Sequence, residues 1–168
     1  MAIDLIKMLK ENEGVRYCAY KDSVGLWTCA VGHNLEAPGS NDKLKAVGVN
    51  PDMVWAAIEE AKKAGKSKTV PLLNDGQVEA LLKEELEVCI KDLDFVSGFD
   101  SMPDEAKAIL VDMRFQLGNS GIRKFKQTLK AFEKGDWRAA ADGLMNSAMA
   151  KQVPNRVNKN VKLLLSIK

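Results

Sequence analysis

Apolar residues recur at helical spacing from the start of the chain. Ile3, Ile6 and Leu9, with Leu5 beside them, predict a helix over 3–12. The pattern then changes. Over 17–35, Tyr17, Tyr20, Val24, Trp27, Thr28 and Val31 are β-favouring types broken by glycines. This predicts a small antiparallel hairpin sheet, with Gly25 in a turn. Residues 36–50 read as turn-rich, from Pro38-Gly39-Ser40 and Asn41-Asp42. Asn50 as N-cap and Pro51 at the first helical position open a helix over 51–64. Gly65 closes it, and Lys66–Pro71 reads as a connector.

The longest apolar stripe follows. Val78, Leu81, Leu82, Leu86, Cys89, Ile90 and Leu93 step by three and four after Asn74. Gln77, three residues beyond Asn74, gives an approximate capping box. A helix over 74–95 would be about 30 Å long, enough to connect two lobes. Ser101 and Pro103 open a helix to about 117. Further helices are expected over 125–134, 136–147 and 154–165, each bounded by Gly, Asn or Pro. The architecture is α+β and mostly α.

Of the 168 residues, 46% are hydrophobic and 29% charged, which excludes an intrinsically disordered chain. No apolar run approaches the roughly 18 residues of a membrane span, so no membrane insertion is expected. The start, Met-Ala-Ile-Asp-Leu-Ile-Lys, lacks a charged region followed by an apolar one, so no signal peptide is expected. Cys18, Cys29 and Cys89 lack zinc-like spacing and read as small reduced core residues. With a single histidine, His33, no metal site is expected. The net charge of +2 is uneven. Residues 119–168 hold 11 Lys/Arg against 3 Asp/Glu, leaving 14 against 20 in residues 1–118. A basic back half could orient the molecule on a polyanion or form only a solvated surface.

Glu13 ends the first helix, Asp22 sits in the hairpin, and Thr28 lies on the next strand. Two carboxylates across a cleft are the apparatus for cleaving a glycosidic bond. A solvated helix-end charge and a turn residue explain the same spacing. The wider set decides between them. Glu13-Gly-x-Arg16, Tyr20-Lys21-Asp22-Ser23-x-Gly25-x-Trp27-Thr28 and Val31-Gly32-His33 together resemble the phage-type lysozymes, the T-even phage muramidases of glycoside hydrolase family 24. Phe115-Gln116-Leu117-Gly118, Phe125, Trp137 and Gln152-x-Pro154-Asn155-Arg156 resemble that family's C-terminal lobe, and Leu73-Asn74 its interlobe helix. Only segment 36–72 matches poorly.

The resemblance implies a single lysozyme domain over 1–168. Its N-terminal lobe is about 13–73 and its interlobe helix about 74–95. Its all-helical C-terminal lobe is about 96–168 plus helix 3–12. It implies an endolysin cutting the β-1,4 bond between N-acetylmuramic acid and N-acetylglucosamine in peptidoglycan, without a cofactor. Glu13 is similar to the catalytic acid, and Asp22 and Thr28 to the residues that hold and activate water. These enzymes invert, which makes Asp22 a base. Asn34, Phe115, Gln116 and Thr128 resemble substrate contacts. For Phe115 core packing, and for Thr128 a helix surface, compete with that role. Arg156 resembles the partner of the catalytic glutamate, with a structural ion pair as the alternative. As the single histidine, beside the presumed active strand, His33 invites a catalytic role; the resemblance favours a structural one, a histidine paired with a carboxylate on the long helix, where Glu85 stands.

Three positions depart from the family: Ala30 for a glycine, Asn34 for an apolar residue, and Asp112 for an asparagine. The setting implied is phage lysis by a monomer held in the host cytoplasm, with a holin giving access to the periplasm and wall, and with no nucleic acid partner. The other class of reading is a non-catalytic wall or polyanion binding module using the basic half. A lytic transglycosylase is disfavoured by an Asp22-like water base.

Overall fold

A computed structural model describes residues 3–64 and 72–168. The expected end at Gly65 and the connector Lys66–Pro71 lie outside the described residues. The chain runs α1 (Leu5–Glu13), β1 (Arg16–Lys21), β2 (Trp27–Ala30), β3 (His33–Asn34), α2 (Ser40–Ala46), α3 (Pro51–Ala64) and α4 (Asp75–Lys91). A single 3₁₀ turn, Phe99–Ser101, precedes α5 (Asp104–Ile122), α6 (Lys126–Glu133), α7 (Trp137–Met145), α8 (Ala148–Gln152) and α9 (Pro154–Leu164). This is the mostly α, α+β lysozyme-like fold that the sequence implies.

Two compact units emerge, one of Ile6–Glu85 and one of Leu86–Lys168 with residues 3–5. In this division most of α1 groups with the sheet, whereas the resemblance assigns helix 3–12 to the C-terminal lobe. The physical ties are local. Leu9 is fully buried, and Lys10 Nζ lies 2.7 Å from Glu79 Oε1 on α4.

In the first unit the sheet has the order β1-β2-β3, antiparallel throughout. Gly25 takes φ +86° in the hairpin turn, a conformation costly for a residue with a β-carbon. Helix α3 begins at Pro51, and Asn50 Oδ1 accepts from the Asp52 amide at 2.9 Å. The capping box at α4 is reciprocal. Asn74 N donates to Gln77 Oε1 at 3.0 Å, and Gln77 N donates to Asn74 Oδ1 at 2.9 Å.

Two expectations need correction, and one helix was not expected. The stretch 36–50 contains α2, a short helix that buries only Ser40 and Leu44 and so carries almost no apolar period. The long helix ends at Lys91, not 95, because Leu93 and Asp94 bond three residues back, to Ile90 and Lys91. Helix α8 went unread. Its five residues are started by Ser147, whose side chain accepts from Ala150 N.

In the second unit α5 is the central helix. Ala106, Ile109, Leu110 and Met113 on it are fully buried. Gly118 interrupts it at φ +72°, which is why the sequence ends that helix near 117. Helix α7 packs on α6 and α9, and Phe132 meets Trp137 edge to face at 6.2 Å.

Candidate active site

Glu13 is the last residue of α1 and is exposed. Gly14 follows at φ +76°, and its N–H caps the Lys10 carbonyl at 3.0 Å. The chain then enters β1. Asp22 sits just beyond that strand and organises the turn. Its Oδ1 accepts from the amides of Val24 and Leu26, both at 2.9 Å. Its Oδ2 holds no hydrogen bond among the described residues. The hairpin register pairs Tyr20 with Thr28. Thr28 is 3% exposed, and its hydroxyl donates to the Leu26 carbonyl at 3.2 Å. One hairpin therefore fixes both Asp22 and Thr28 by short-range bonds.

Tyr20 reports on the neighbourhood. Burial pushes its phenol above the usual range, Arg16 opposes this, and the negative charges of Asp22 and Glu13 both push it further up. Tyr20 stands within the Tyr20-Lys21-Asp22 motif, and nothing in the sequence points to a role for it. On the opposite strand, burial pushes the Cys29 thiol up to about 12, so it is protonated and inert. All three cysteines are free thiols.

Asn34 on β3 pairs with Thr28 in the sheet register and is partly exposed. His33 is buried, and both its ring nitrogens are engaged. Nδ1 lies 3.3 Å from Glu85 Oε1, and Nε2 lies 2.9 Å from Ser40 Oγ. The expected His33–Glu85 contact is present, and Ser40 and Lys43 extend it. Lys43 Nζ donates to the same Glu85 oxygen at 2.8 Å. The His33 bond first, and Lys43 with it, hold the Glu85 carboxyl at about 2 against the opposing effect of burial. No sequence signal pointed to Ser40 or Lys43, because both lie on the unread α2.

In the other unit, Phe115 and Gln116 occupy the last turn of α5 before the Gly118 break, and both are partly exposed. The buried Oε1 of Gln116 accepts no hydrogen bond among the described residues. Thr128 is not on a helix surface. It is 6% exposed on α6, under α7, where a β-carbon on Gly143 would lie 2.4 Å from Thr128 Oγ1. Arg156 is buried and held by Asp112. Its Nε donates to Oδ2 at 3.0 Å and its Nη2 to Oδ1 at 2.8 Å. Asn160 Nδ2 donates to Asp112 Oδ2 at 2.8 Å. The sequence flags Asp112 only as a departure, and Asn160 not at all. Among the described residues no three His, Cys, Asp or Glu side chains group as a metal site, and no helix is long and apolar enough to cross a membrane.

The fold is mostly helical α+β, with acidic side chains at the turn and entry of its small sheet, and sequence comparison places it with the lysozyme-type glycoside hydrolases. The phage lysozyme family profile matches residues 10–161, and the chain belongs to that family, as a muramidase of lysozyme type. It is 29% identical over 163 residues to the probable T4-type lysozyme 2 of Dictyostelium discoideum, covering 95% of this chain and 92% of that protein. To the probable T4-type lysozyme 1 of the same organism it is 27% identical over 171 residues, covering 98% and 95%. It is also 23% identical over 168 residues to the pre-baseplate central spike protein Gp5 of Enterobacteria phage T4, covering 98% of this chain and 28% of that protein.

Proposed function

We propose that this muramidase cleaves the β-1,4 bond between N-acetylmuramic acid and N-acetylglucosamine by single displacement, with Glu13 as general acid and Asp22 as general base. The observation that carries this reading is the hairpin that directly follows Glu13 and fixes Asp22 and Thr28 through its own hydrogen bonds. It supports two carboxylates serving one sugar.

The hydrogen bonds suggest how water is held. The Thr28 proton is committed to the Leu26 carbonyl, so Oγ1 has lone pairs to accept from water. Asp22 Oδ1 is fixed by two amides, leaving Oδ2 to accept the second water proton. Water anchored by both hydrogens turns its own lone pair toward the anomeric carbon. As its oxygen bonds to that carbon, the glycosidic C–O bond breaks. Glu13 gives its proton to the leaving oxygen, Asp22 receives one from water, and the product anomer is inverted. Asn34, Phe115 and Gln116 are the proposed substrate contacts. A sugar N-acetyl N–H would satisfy the orphaned Gln116 Oε1. Thr128 contributes only through its narrow exposed edge. Arg156 is assigned active-site support, its guanidinium fixed by Asp112 and Asn160.

The biological setting we propose is host lysis. The protein accumulates in the host cytoplasm as a monomer, and a holin admits it to the periplasm and wall. The basic C-terminal half favours the anionic envelope. Proton NMR of a soluble glycan digest, recorded before mutarotation, tests the chemistry. An α-anomer as first product is expected. A β-anomer as first product would remove the base role from Asp22 and make it a nucleophile, and anhydro ends would mean transglycosylation.

A further inference from the structure

A depression of about 440 Å³ lies directly after β3, lined by residues between Leu35 and Trp55 in the part of the chain that resembles the family least. We propose that this depression, lined by Glu36, Asp42 and Trp55, binds the primary ammonium group of a peptidoglycan stem peptide. The proposal rests on the muramidase reading above and extends it to the peptide part of the substrate.

Position is the first argument. The Thr28–Asn34 pair is followed by a further ladder bond, from Leu35 N to the Trp27 carbonyl at 2.8 Å. Leu35 then floors the depression, which therefore begins one residue beyond Asn34. The next turn is locked, because Asn34 Oδ1 accepts from Glu36 N at 2.9 Å. A stem peptide leaving a muramic acid near Asn34 meets this surface next.

Chemistry is the second argument. The Glu36 carboxylate is oriented by the Trp27 amide, which donates to Oε1 at 3.2 Å. The half-buried Trp55 ring is held by its indole N–H, which donates to Asn41 Oδ1 at 3.1 Å. The Ser40 hydroxyl is engaged by His33. The Asp42 side chain holds no partner among the described residues, and no Lys or Arg lines the depression. What remains is one aromatic face, two carboxylates, and a single side-chain donor, the Asn41 amide. A sugar ring offers both donors and acceptors and needs both in return. An ammonium is donor-only and positive, and it is attracted by carboxylates and by an indole face alike. Stem peptides carry such an amine on their diamino acid. Their carboxylates are repelled by Glu36 and Asp42.

Two readouts test this. In the first, a soluble stem peptide bearing its free amine is titrated while the indole N–H signal of Trp55 is followed by NMR. A saturable shift is expected with the free amine and none with the N-acetylated peptide, and Asp42→Asn should abolish the shift. This readout is independent of catalysis. In the second, release of reducing ends is compared on native walls and on walls whose amines have been acetylated. The wild type should lose about two- to fivefold in kcat/KM on acetylation, and Asp42→Asn should cut both walls equally. Glu13-dependent release with no discrimination and no indole shift would overturn the ammonium site and leave the muramidase intact. An indole shift from acetylated and free peptide alike would overturn it equally. Failure of all release would strike the muramidase reading, and the titration would still decide the binding site.

Discussion

Replacing Asp112 with alanine removes the carboxylate that holds Arg156. Asp112 is 1% exposed and Arg156 8%. Three hydrogen bonds are lost: two from the guanidinium, at 3.0 and 2.8 Å, and one from Asn160, at 2.8 Å. Breaking a buried pair by deleting one partner costs about 3–5 kcal/mol, because a charge is left without compensation in a poorly solvated place. Arg156 has other interactions as well, so the lower end of that range is expected. Asp112→Asn keeps an acceptor and loses the charge, and should cost about 1.5–3 kcal/mol. A double replacement, Asp112→Leu with Arg156→Met, should recover most of the loss, since apolar groups of similar volume carry no desolvation penalty. Urea unfolding followed by tryptophan fluorescence, with unchanged m-values, measures all three. A loss below about 1 kcal/mol for Asp112→Ala would refute the view that this pair is a buried, closely coupled unit.

Acid titration tests the Glu85 cluster. Its carboxyl is held at about 2 against an ordinary 4.5, so its contribution is complete above pH 4.5 and is lost as pH falls toward 2. The side chain is 30% exposed, which after solvent screening leaves about 1–2 kcal/mol. Glu85→Gln should flatten the stability curve over that window, and parallel curves would count against the cluster. Ala30 is a buried non-glycine residue at φ +53°, and Ala30→Gly should raise stability by about 1 kcal/mol in the same unfolding assay; a loss would show that its β-carbon packs better than its backbone strains. Gly143→Ala should lower stability by about 1–3 kcal/mol, since the new carbon would meet Thr128 Oγ1 at 2.4 Å with Thr128 Cβ and Cγ2 also within 3.3 Å. A neutral result would mean that α6 and α7 separate freely.

Elements with strong local signals were legible in the sequence. Asn50-Pro51 and Asn74-x-x-Gln77 mark helix starts by hydrogen bonds made within four residues, and both starts are found where expected. The hairpin is set likewise, by glycine and Asp22. Helices α2 and α8 were not legible, because seven and five residues bury too little to show a period. The His33–Glu85 contact came from family resemblance, since 52 residues of sequence separate its partners. Ser40 and Asn160 are polar residues whose roles arise only from what folding brings beside them. For the same reason Asp112 reads as a mere substitution in the sequence and as the anchor of Arg156 in the fold.

The most direct test of the catalytic assignment is wall digestion by wild type and by Glu13→Gln, with mass spectrometry of the released muropeptides. The substitution keeps side-chain size and removes only the transferable proton, and loss of a positioned acid typically costs about 10²- to 10⁴-fold. Release of muropeptides with reducing muramic acid ends by the wild type, and a loss of that order in the variant, is the expected result. Equal release by both proteins would contradict Glu13 as the acid.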